Sequence, residues 1–344
     1  MQVRFYHAEL PFHYPFTISG GRTKSVQEAL IVSLTLNGVT GFGEAPAIKY
    51  YQISVPDLIQ KGVSAKSEIE AFSELNPYAF NEQLEKLFPD DTFLRCALDL
   101  AFWDLISRLK NTSPAAILGL PLPEKIACDY TIGIDTPGEM LRKMEALPWP
   151  VYKIKVGFNR DAELLNTLCE NSDALFRLDA NAAWNLNEAV QFLQGINHSR
   201  IQLIEQALKR DCIHEMEILR RHTHIPFVAD EDFREISDLD ACTGRFNGIN
   251  IKLTKCGGIS PAIKIIEEAR RKGLKIMLGT MNESSIGTWA LLQLASEADF
   301  VDADGPLLLN GDYATGLSYK GGYVHIPPKA EELVVNQTMF EEIW

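Results

Sequence analysis

Two lysines, Lys153 and Lys155, lie two apart in the apolar segment Val151-Tyr152-Lys153-Ile154-Lys155-Val156-Gly157. In a strand, alternate side chains share a face, so both ammonium groups project to one side and Tyr152, Ile154 and Val156 to the other. Further along, three apolar segments end in carboxylates, at Asp179, Glu205 and Asp230, and the next ends at Lys252. Taken singly, a strand-end carboxylate reads as a helix cap and a strand-end lysine as a solvated gatekeeper. The conjunction reads differently, because a lysine pair precedes the three carboxylates and a lone lysine follows them. Hard oxygen donors with positions left for water or substrate suit Mg²⁺. Zinc fits less well, because no His or Cys occupies a strand end. Lysines on either side of such a metal are suited to proton transfer, provided nearby cations lower them from an ordinary pKa of about 10.4. A carboxylate substrate chelated by the metal would then lose its α-proton to give an enediolate. A Schiff-base aldolase working through Lys252 is a rival. A non-catalytic sugar- or peptide-binding barrel is another, but it offers no reason for lysines flanking carboxylates.

Such residues need a frame that brings strand ends together. From about residue 124 the chain alternates strand and helix, with apolar strands expected at Ile126–Ile134, Tyr152–Val156, Leu175–Asp179, Gln202–Glu205, Phe227–Asp230, Ile249–Leu253, Ile276–Gly279 and Phe300–Asp304. Alternating βα units imply a parallel sheet, and eight strands spaced by about 25 residues suggest a closed α/β barrel. In such a barrel the C-terminal strand ends face the active site. Read in order, they give Thr131, Lys153 and Lys155, Asp179 with Asn181, Glu205, Asp230, Lys252, Thr280 with Met281, and Asp302 with Asp304. The first ~115 residues read as α+β. Strands are expected at Val3–Leu10, Ala29–Leu36 and Val39–Glu44, the last two joined by an Asn37-Gly38 turn. Helices are expected near Lys66–Leu75, Tyr78–Leu87 and Asp90–Leu109, with Asp90 or Asp91 capping the last. His13–Ser25 reads as a mobile loop and Ala45–Pro56 as a second loop. The tail Gly311–Trp344 reads as irregular with short strands.

A net charge of −13 and the lack of a long basic run argue against nucleic acid. No apolar stretch approaches the ~20 residues of a membrane helix, and the first residues carry no signal-peptide pattern. Six scattered cysteines without a Cys-x-x-Cys pair suit reduced thiols in a cytoplasmic protein. His222-x-His224 follows a charged, helix-like stretch and reads as a surface turn.

The ordered motifs Lys153-x-Lys155, Asp179-x-Asn181, Glu205-Gln206, Asp230-Glu231 and Asn250-Ile251-Lys252-Leu253-Thr254-Lys255-Cys256-Gly257-Gly258 resemble those of the enolase superfamily, in its muconate-lactonizing-enzyme subgroup. The resemblance covers nearly the whole chain. It implies a (β/α)7β modified TIM barrel over residues 125–311, and an α+β capping domain built from 1–124 with the tail 312–344. It also implies one Mg²⁺ per subunit on Asp179, Glu205 and Asp230, with Asn181 and Glu231 behind them. Lys155 and Lys252 become the acid/base pair on opposite faces of the substrate, as is general for Lys-and-Mg²⁺ sites of this superfamily. Lys153 lies beside the substrate carboxylate. Lys252 takes precedence over Lys255, which begins the Gly-rich turn. The seventh-strand histidine of the mandelate-racemase-like subgroup is missing.

Subgroup members differ in reaction: cycloisomerisation, dehydration to o-succinylbenzoate, N-acylamino-acid racemisation and dipeptide epimerisation. Dipeptide epimerases carry an Asp-x-Asp on the eighth strand that holds the substrate ammonium, and Asp302-Ala303-Asp304 matches it. An N-acylated substrate has no cation to offset two such carboxylates. The expected protein is therefore an isomerase acting on small dipeptides of Ala-Xaa type. N-acylamino-acid racemase and o-succinylbenzoate synthase are the alternatives on the same scaffold. Thr131 and Met281 are expected to line the substrate, and Phe16, Ile18 and Ile53 to form an apolar pocket. Arg22 corresponds in position to an arginine that holds the acidic side chain in Ala-Glu epimerases, although the loop differs in length. Ala-Glu and small or hydrophobic dipeptides both stay open, as does a homo-oligomer.

Overall fold

The computed structural model describes residues 1–18, 22–158 and 160–343, with the side chains of residues 16–18 and 22 outside that description. Three strands, β1 (Gln2–Ile18), β2 (Arg22–Leu36) and β3 (Val39–Pro46), form an antiparallel cap sheet. Asn37 and Gly38 both take positive φ, 53° and 80°, the pattern of a two-residue hairpin turn. Alternation along these strands sorts their side chains. Val3, Phe5, Leu30, Val32 and Leu34 pack into a cluster with the cap helices, while Tyr6, Ala8, Leu10, Ala29 and Ile31 join the larger cluster of the barrel and tail. The tail segment Glu341–Glu342 adds a fourth strand along β1, with Tyr6 opposite Glu342.

Four helices follow: α1 (Val55–Ser64), α2 (Lys66–Glu70), α3 (Pro77–Leu87) and α4 (Thr92–Leu109). α1 departs from the sequence expectation, which ended a loop at Pro56. Pro56 lies in the first helical turn, where its missing N–H costs nothing, and Ser54 caps by accepting from Asp57 N–H. α4 starts as expected, with the Asp91 carboxylate accepting from Leu94 N–H at 3.0 Å. It is buried on nearly every side, between cap sheet and barrel. Gly41 and Gly43 permit that approach. A Cβ there would stand 2.2 Å from Leu105 N and 2.0 Å from Ala97 O respectively.

Within His13–Ser25, where a loop was expected, the described residues are largely strand, and residues 19–21 lie outside the description. Phe16 pairs with Lys24 and Ile18 with Arg22, so the β1–β2 ladder resumes after a register shift between Pro11 and Phe16. The expected strand Ile126–Ile134 is two strands. β4 (Lys125–Ala127) pairs with the tail segment Tyr323–His325, and β5 (Tyr130–Ile132) opens the barrel. The break falls where the buried Asp129 carboxylate meets Arg177, at 2.8 Å.

The other barrel strands are β6 (Val151–Lys155), β7 (Leu175–Asp179), β8 (Ile201–Glu205), β9 (Phe227–Ala229), β10 (Gly248–Ile251), β11 (Lys275–Gly279) and β12 (Phe300–Asp302). They are parallel and lie in chain order, β5 to β12, making an eight-stranded, nearly closed barrel. Its ends meet where Thr131 N–H donates to Asp304 at 2.5 Å. After β12 the chain makes one helical turn, Gly305–Leu308, with Pro306 in its first positions.

Cap and barrel are fastened by two buried carboxylates at helix N-termini. Glu44 of β3 accepts from Ser284 N–H (3.0 Å), Ser284 Oγ (2.6 Å) and Gly287 N–H (3.0 Å). Asp99 of α4 accepts from Ser260 N–H (3.2 Å) and Oγ (2.6 Å) at the start of helix Ile259–Arg271. A helix N-terminus presents free N–H donors and partial positive charge, so a carboxylate is the fitting partner. No helix among the described residues is long and apolar enough to cross a membrane.

Candidate active site

Parallel register sets the site. Lys155 pairs with Asp179 and Asp179 with Glu205, so three ionisable groups share one level of the barrel. Thr131, Lys153, Arg177 and Leu203 share the level below. Lys153 and Lys155 both point inward, and Tyr152, Ile154 and Val156 lie in the apolar layer outside, as the alternation predicts. In the ring of eight strands, β6 and β10 are four places apart, on opposite sides. Lys155 at the end of β6 and Lys252 just after β10 thus face each other across the barrel mouth. Asp179, Glu205 and Asp230 occupy the arc between them, on β7, β8 and just after β9.

A cleft of about 390 Å³ lies at this end, between barrel and cap. Thr131, Lys153, Lys155, Asn181, Asp230, Glu231, Lys252, Met281, Asp302 and Asp304 all line it, together with cap residues. Asp179 and Glu205 sit beneath, 1% and 0% exposed. Met281 also packs against the cap core. Ile53 does not reach the cleft; it packs into the cap core, and Ile48 lines the cleft in its place. The side chains of Arg22, Phe16 and Ile18 lie outside the described residues.

Charges are densely paired. Lys155 Nζ is 2.6 Å from Asp179 Oδ2, and Lys252 Nζ 2.8 Å from Asp230 Oδ2. Lys153 Nζ contacts Asp302 (2.7 Å), Glu205 (2.7 Å) and Asp179 (3.1 Å). Lys255 donates to the Asp230 carboxylate and to the carbonyls of Asp230, Phe233 and Asn250, at 2.6–3.1 Å. So bound, the Lys255 ammonium is fully occupied by acceptors beneath Asp230. Burial raises the Asp179 carboxyl, but Lys155 and Lys153 outweigh it and bring it down to about 2. Asp230 is held well below the usual range in the same way, by Lys252 and Lys255. Burial lowers Lys252 and Lys153, yet the surrounding carboxylates leave both above the ordinary lysine range. Around these two lysines the carboxylates outnumber the neighbouring cations.

Acceptors remain open on the cleft floor. Glu205 Oε2, Asn181 Oδ1 and Glu231 Oε2 are buried without a hydrogen-bond donor. Lys153 Nζ stands 2.7 Å from Glu205 Oε2 as an ion pair. Burial, reinforced by Asp230 and Asp179, pushes Glu231 up to about 8. Buried oxygens without donors beside ionised carboxylates are what a bound hard cation would satisfy, so the donor set fits Mg²⁺.

Asp129, Asp302 and Asp304 also bring their oxygens within 4.8 Å of one another. Asp129 is held by Arg177 and does not line the cleft, and Lys153 neutralises Asp302. Asp302 and Asp304 do line it. Burial and then Asp302 push Asp304 up to about 7, while Lys153 outweighs burial and holds Asp302 below its ordinary value. Asp129 escaped the sequence analysis, and Asn250 entered it only as part of a motif, without a role. Asn250 Nδ2 donates to Glu205 Oε1 at 2.8 Å. It stands two residues before Lys252, so the alternation that linked Lys153 to Lys155 was the available signal. Gln206 also acts here, accepting from Asp230 N–H and Asp232 N–H at 3.0 Å each and so fixing the backbone at Asp230.

Residues 138–330 match the enolase C-terminal domain-like family. The chain belongs to this family. It is 39% identical over 317 residues to an L-Ala-D/L-amino acid epimerase of a Maribacter species, covering 92% of this chain and 94% of that one. A dipeptide epimerase from Cytophaga hutchinsonii shares the fold with a TM-score of 0.92 at 24% identity, over 100% and 98% of the two chains. A dipeptide epimerase from Enterococcus faecalis, complexed with Mg and L-Leu-L-Tyr, aligns with a TM-score of 0.89 at 26% identity, over 97% and 99%. The Maribacter relative is an isomerase, and the three matches cover 92% or more of this chain.

Proposed function

We propose that the protein is a Mg²⁺-dependent dipeptide epimerase that inverts the α-carbon of the C-terminal residue, on substrates of Ala-Xaa type. The observation that carries this reading is the placing of Lys155 and Lys252 on opposite strands of one cleft, with Asp302 and Asp304 in its wall. Asp179, Glu205 and Asp230 would hold the metal. Bound there, Mg²⁺ supplies positive charge to the substrate carboxylate. Lys153 adds a fixed cation below the same point. Asp302 and Asp304 receive the free ammonium, and Thr131 orients Asp304 through its N–H. The α-carbon then lies between the two lysines. One accepts the α-proton and the other delivers a proton to the opposite face. Two lysines are required because neither reaches both faces. The cap closes over the cleft and limits water. The Asp-x-Asp pair favours a free-amine dipeptide over an N-acylated amino acid.

Deuterium uptake at the α-carbon tests the reading. In D₂O with Mg²⁺, wild-type protein labels Ala-Xaa dipeptides. Lys155→Ala and Lys252→Ala each lose epimerisation by roughly 10²–10⁴-fold, and each still labels a different epimer. Uptake into no dipeptide would sink the proposal, and equal labelling of both epimers by either variant would sink the two-lysine assignment.

A further inference from the structure

A third carboxyl stands behind the two that are proposed to receive the ammonium. Asp129 is 0% exposed and does not line the cleft, and the proposed chemistry makes no use of it. One oxygen each of Asp129, Asp302 and Asp304 lie within 4.8 Å of one another. Arg177 Nη1 donates to Asp129 Oδ2 at 2.8 Å, and Lys153 Nζ to Asp302 Oδ2 at 2.7 Å. Neither cation is given over to this cluster. Arg177 also donates to Val301 O (2.7 Å) and Gln202 Oε1 (2.9 Å), and Lys153 also contacts Glu205 and Asp179. Asp304 accepts from a neutral partner, Thr131 N–H. Asp129 Oδ1 is buried without a donor, and the Asp129 side chain stands within hydrogen-bond reach of Asp302.

Two ionised carboxylates in contact inside a protein repel, and neither can donate to the other. A proton held between them removes both faults. Burial and then Asp302 raise Asp129 well above the ordinary carboxyl range, with Arg177 offsetting only part, and Asp304 is raised by the same two causes. The other groups facing the cluster are the cations Lys153, Arg177 and Lys252, and the Cys128, Tyr130 and Tyr319 side chains, which burial keeps neutral. An ammonium arriving at Asp302 and Asp304 brings the positive charge that the proton had supplied. We propose that Asp129, Asp302 and Asp304 form one three-carboxyl cluster that keeps a proton while the subsite is empty, and that Asp129 is the positioning residue through which an entering substrate ammonium displaces that proton to solvent. One carboxyl O–H is lost, its proton goes to water, and a carboxylate–ammonium pair takes its place. The three groups titrate together, so the proton belongs to the cluster rather than to one residue. Substrate affinity then rises with pH until the empty cluster has lost its proton.

The inference rests on the proposed function, and proton counting separates the two. Mg²⁺-saturated protein is titrated with an Ala-Xaa dipeptide that the deuterium assay labels, taken at its epimeric equilibrium. Calorimetry in two buffers of different ionisation enthalpy gives the protons released per dipeptide bound. Near pH 6 the dipeptide is already an ammonium, since an α-amino group ordinarily titrates at about 7.7–8.0. Wild type releases about one proton, and its Kd falls by roughly threefold to tenfold from about pH 5.5 to about pH 6.5. Asp129→Asn keeps the side-chain shape but leaves a two-carboxyl subsite. It releases less than about a fifth of a proton, and its Kd is nearly flat over the same range. A residue that merely held the fold would shift Kd alike at every pH. The infrared difference spectrum of wild type should also lose a carboxylic-acid C=O band when the dipeptide binds. Binding to wild type without proton release, or without loss of that band, overturns this inference and leaves the proposed function standing. Unchanged proton release in folded Asp129→Asn overturns it too. Binding and labelling of no dipeptide overturn both. The two wild-type measurements decide even if the variant does not fold.

Discussion

At the residue scale, the proposed function makes Asp302 and Asp304 the pair that would separate free-amine dipeptides from N-acylated substrates. The Asp302 carboxylate is stabilised by Lys153, and Asp304 holds its proton more tightly, being pushed up to about 7. An incoming ammonium would favour the ionised form of both. Asp302→Asn and Asp304→Asn are expected to lower kcat/KM for Ala-Xaa by roughly a hundredfold, about 2–3 kcal/mol, by removing a buried charge pair. N-acetylated substrates should lose far less, and paired assays on the free and acetylated dipeptide read the difference. These residues were legible because strand alternation and βα order act on every strand alike. What escaped is also instructive. Asp129 hides in a strand break forced by its contact with Arg177, 48 residues away, and no local pattern announces such a contact. Lys24 looked like part of a flexible loop, since Gly and Ser nearby masked a strand held by its partner.

At the element scale, the glycines of β3 determine how deeply α4 can seat. The Gly43→Ala side chain would meet the Ala97 carbonyl at 2.0 Å, a backbone atom that cannot swing aside. Overpacking of that kind costs about 1–3 kcal/mol or more, and urea unfolding of Gly43→Ala should show it. The two carboxylates that fasten cap to barrel make a second prediction. Burial pushes both Glu44 and Asp99 up to about 7, their hydrogen bonds only partly offsetting it. A carboxyl raised on folding contributes stability that is fully present below its unfolded pKa of about 4, and this is lost as pH rises through about 7. Unfolding free energy should therefore fall between pH 5 and pH 8, on the order of 1–3 kcal/mol for each group. Asp99→Asn, which cannot ionise, should show a shallower fall in urea titrations at the two pH values. Of these elements, α4 and the barrel helices were visible in apolar spacing. α1 was missed because the loop expected over Ala45–Pro56 ran past Ser54, whose side chain caps the helix start.

At the scale of the whole molecule, the barrel concentrates carboxylates on one arc, and they repel unless countered. Lysines counter them in this structure, and Mg²⁺ would add to that. Removing divalent metal with EDTA should abolish turnover, and Mg²⁺ should restore it. Mg²⁺ should also raise the melting temperature, since a ligand at about 100 times its Kd stabilises by roughly 2.7 kcal/mol. Calorimetry with and without EDTA checks this. No rise in melting temperature and no loss of activity would exclude the metal site.

The diametric placing of Lys155 and Lys252 has a consequence for how the protein comes to work. The two residues are far apart along the chain, and the last strand meets the first where Thr131 N–H donates to Asp304. Pairings so remote in sequence pay their loop-closure entropy late. Helices and neighbouring strand pairs can form while the ring is still open, but such a species has half a site on each edge and no cleft between them. Turnover is thus a reporter of ring closure, and a chain that stalls one strand short would be well structured and inert.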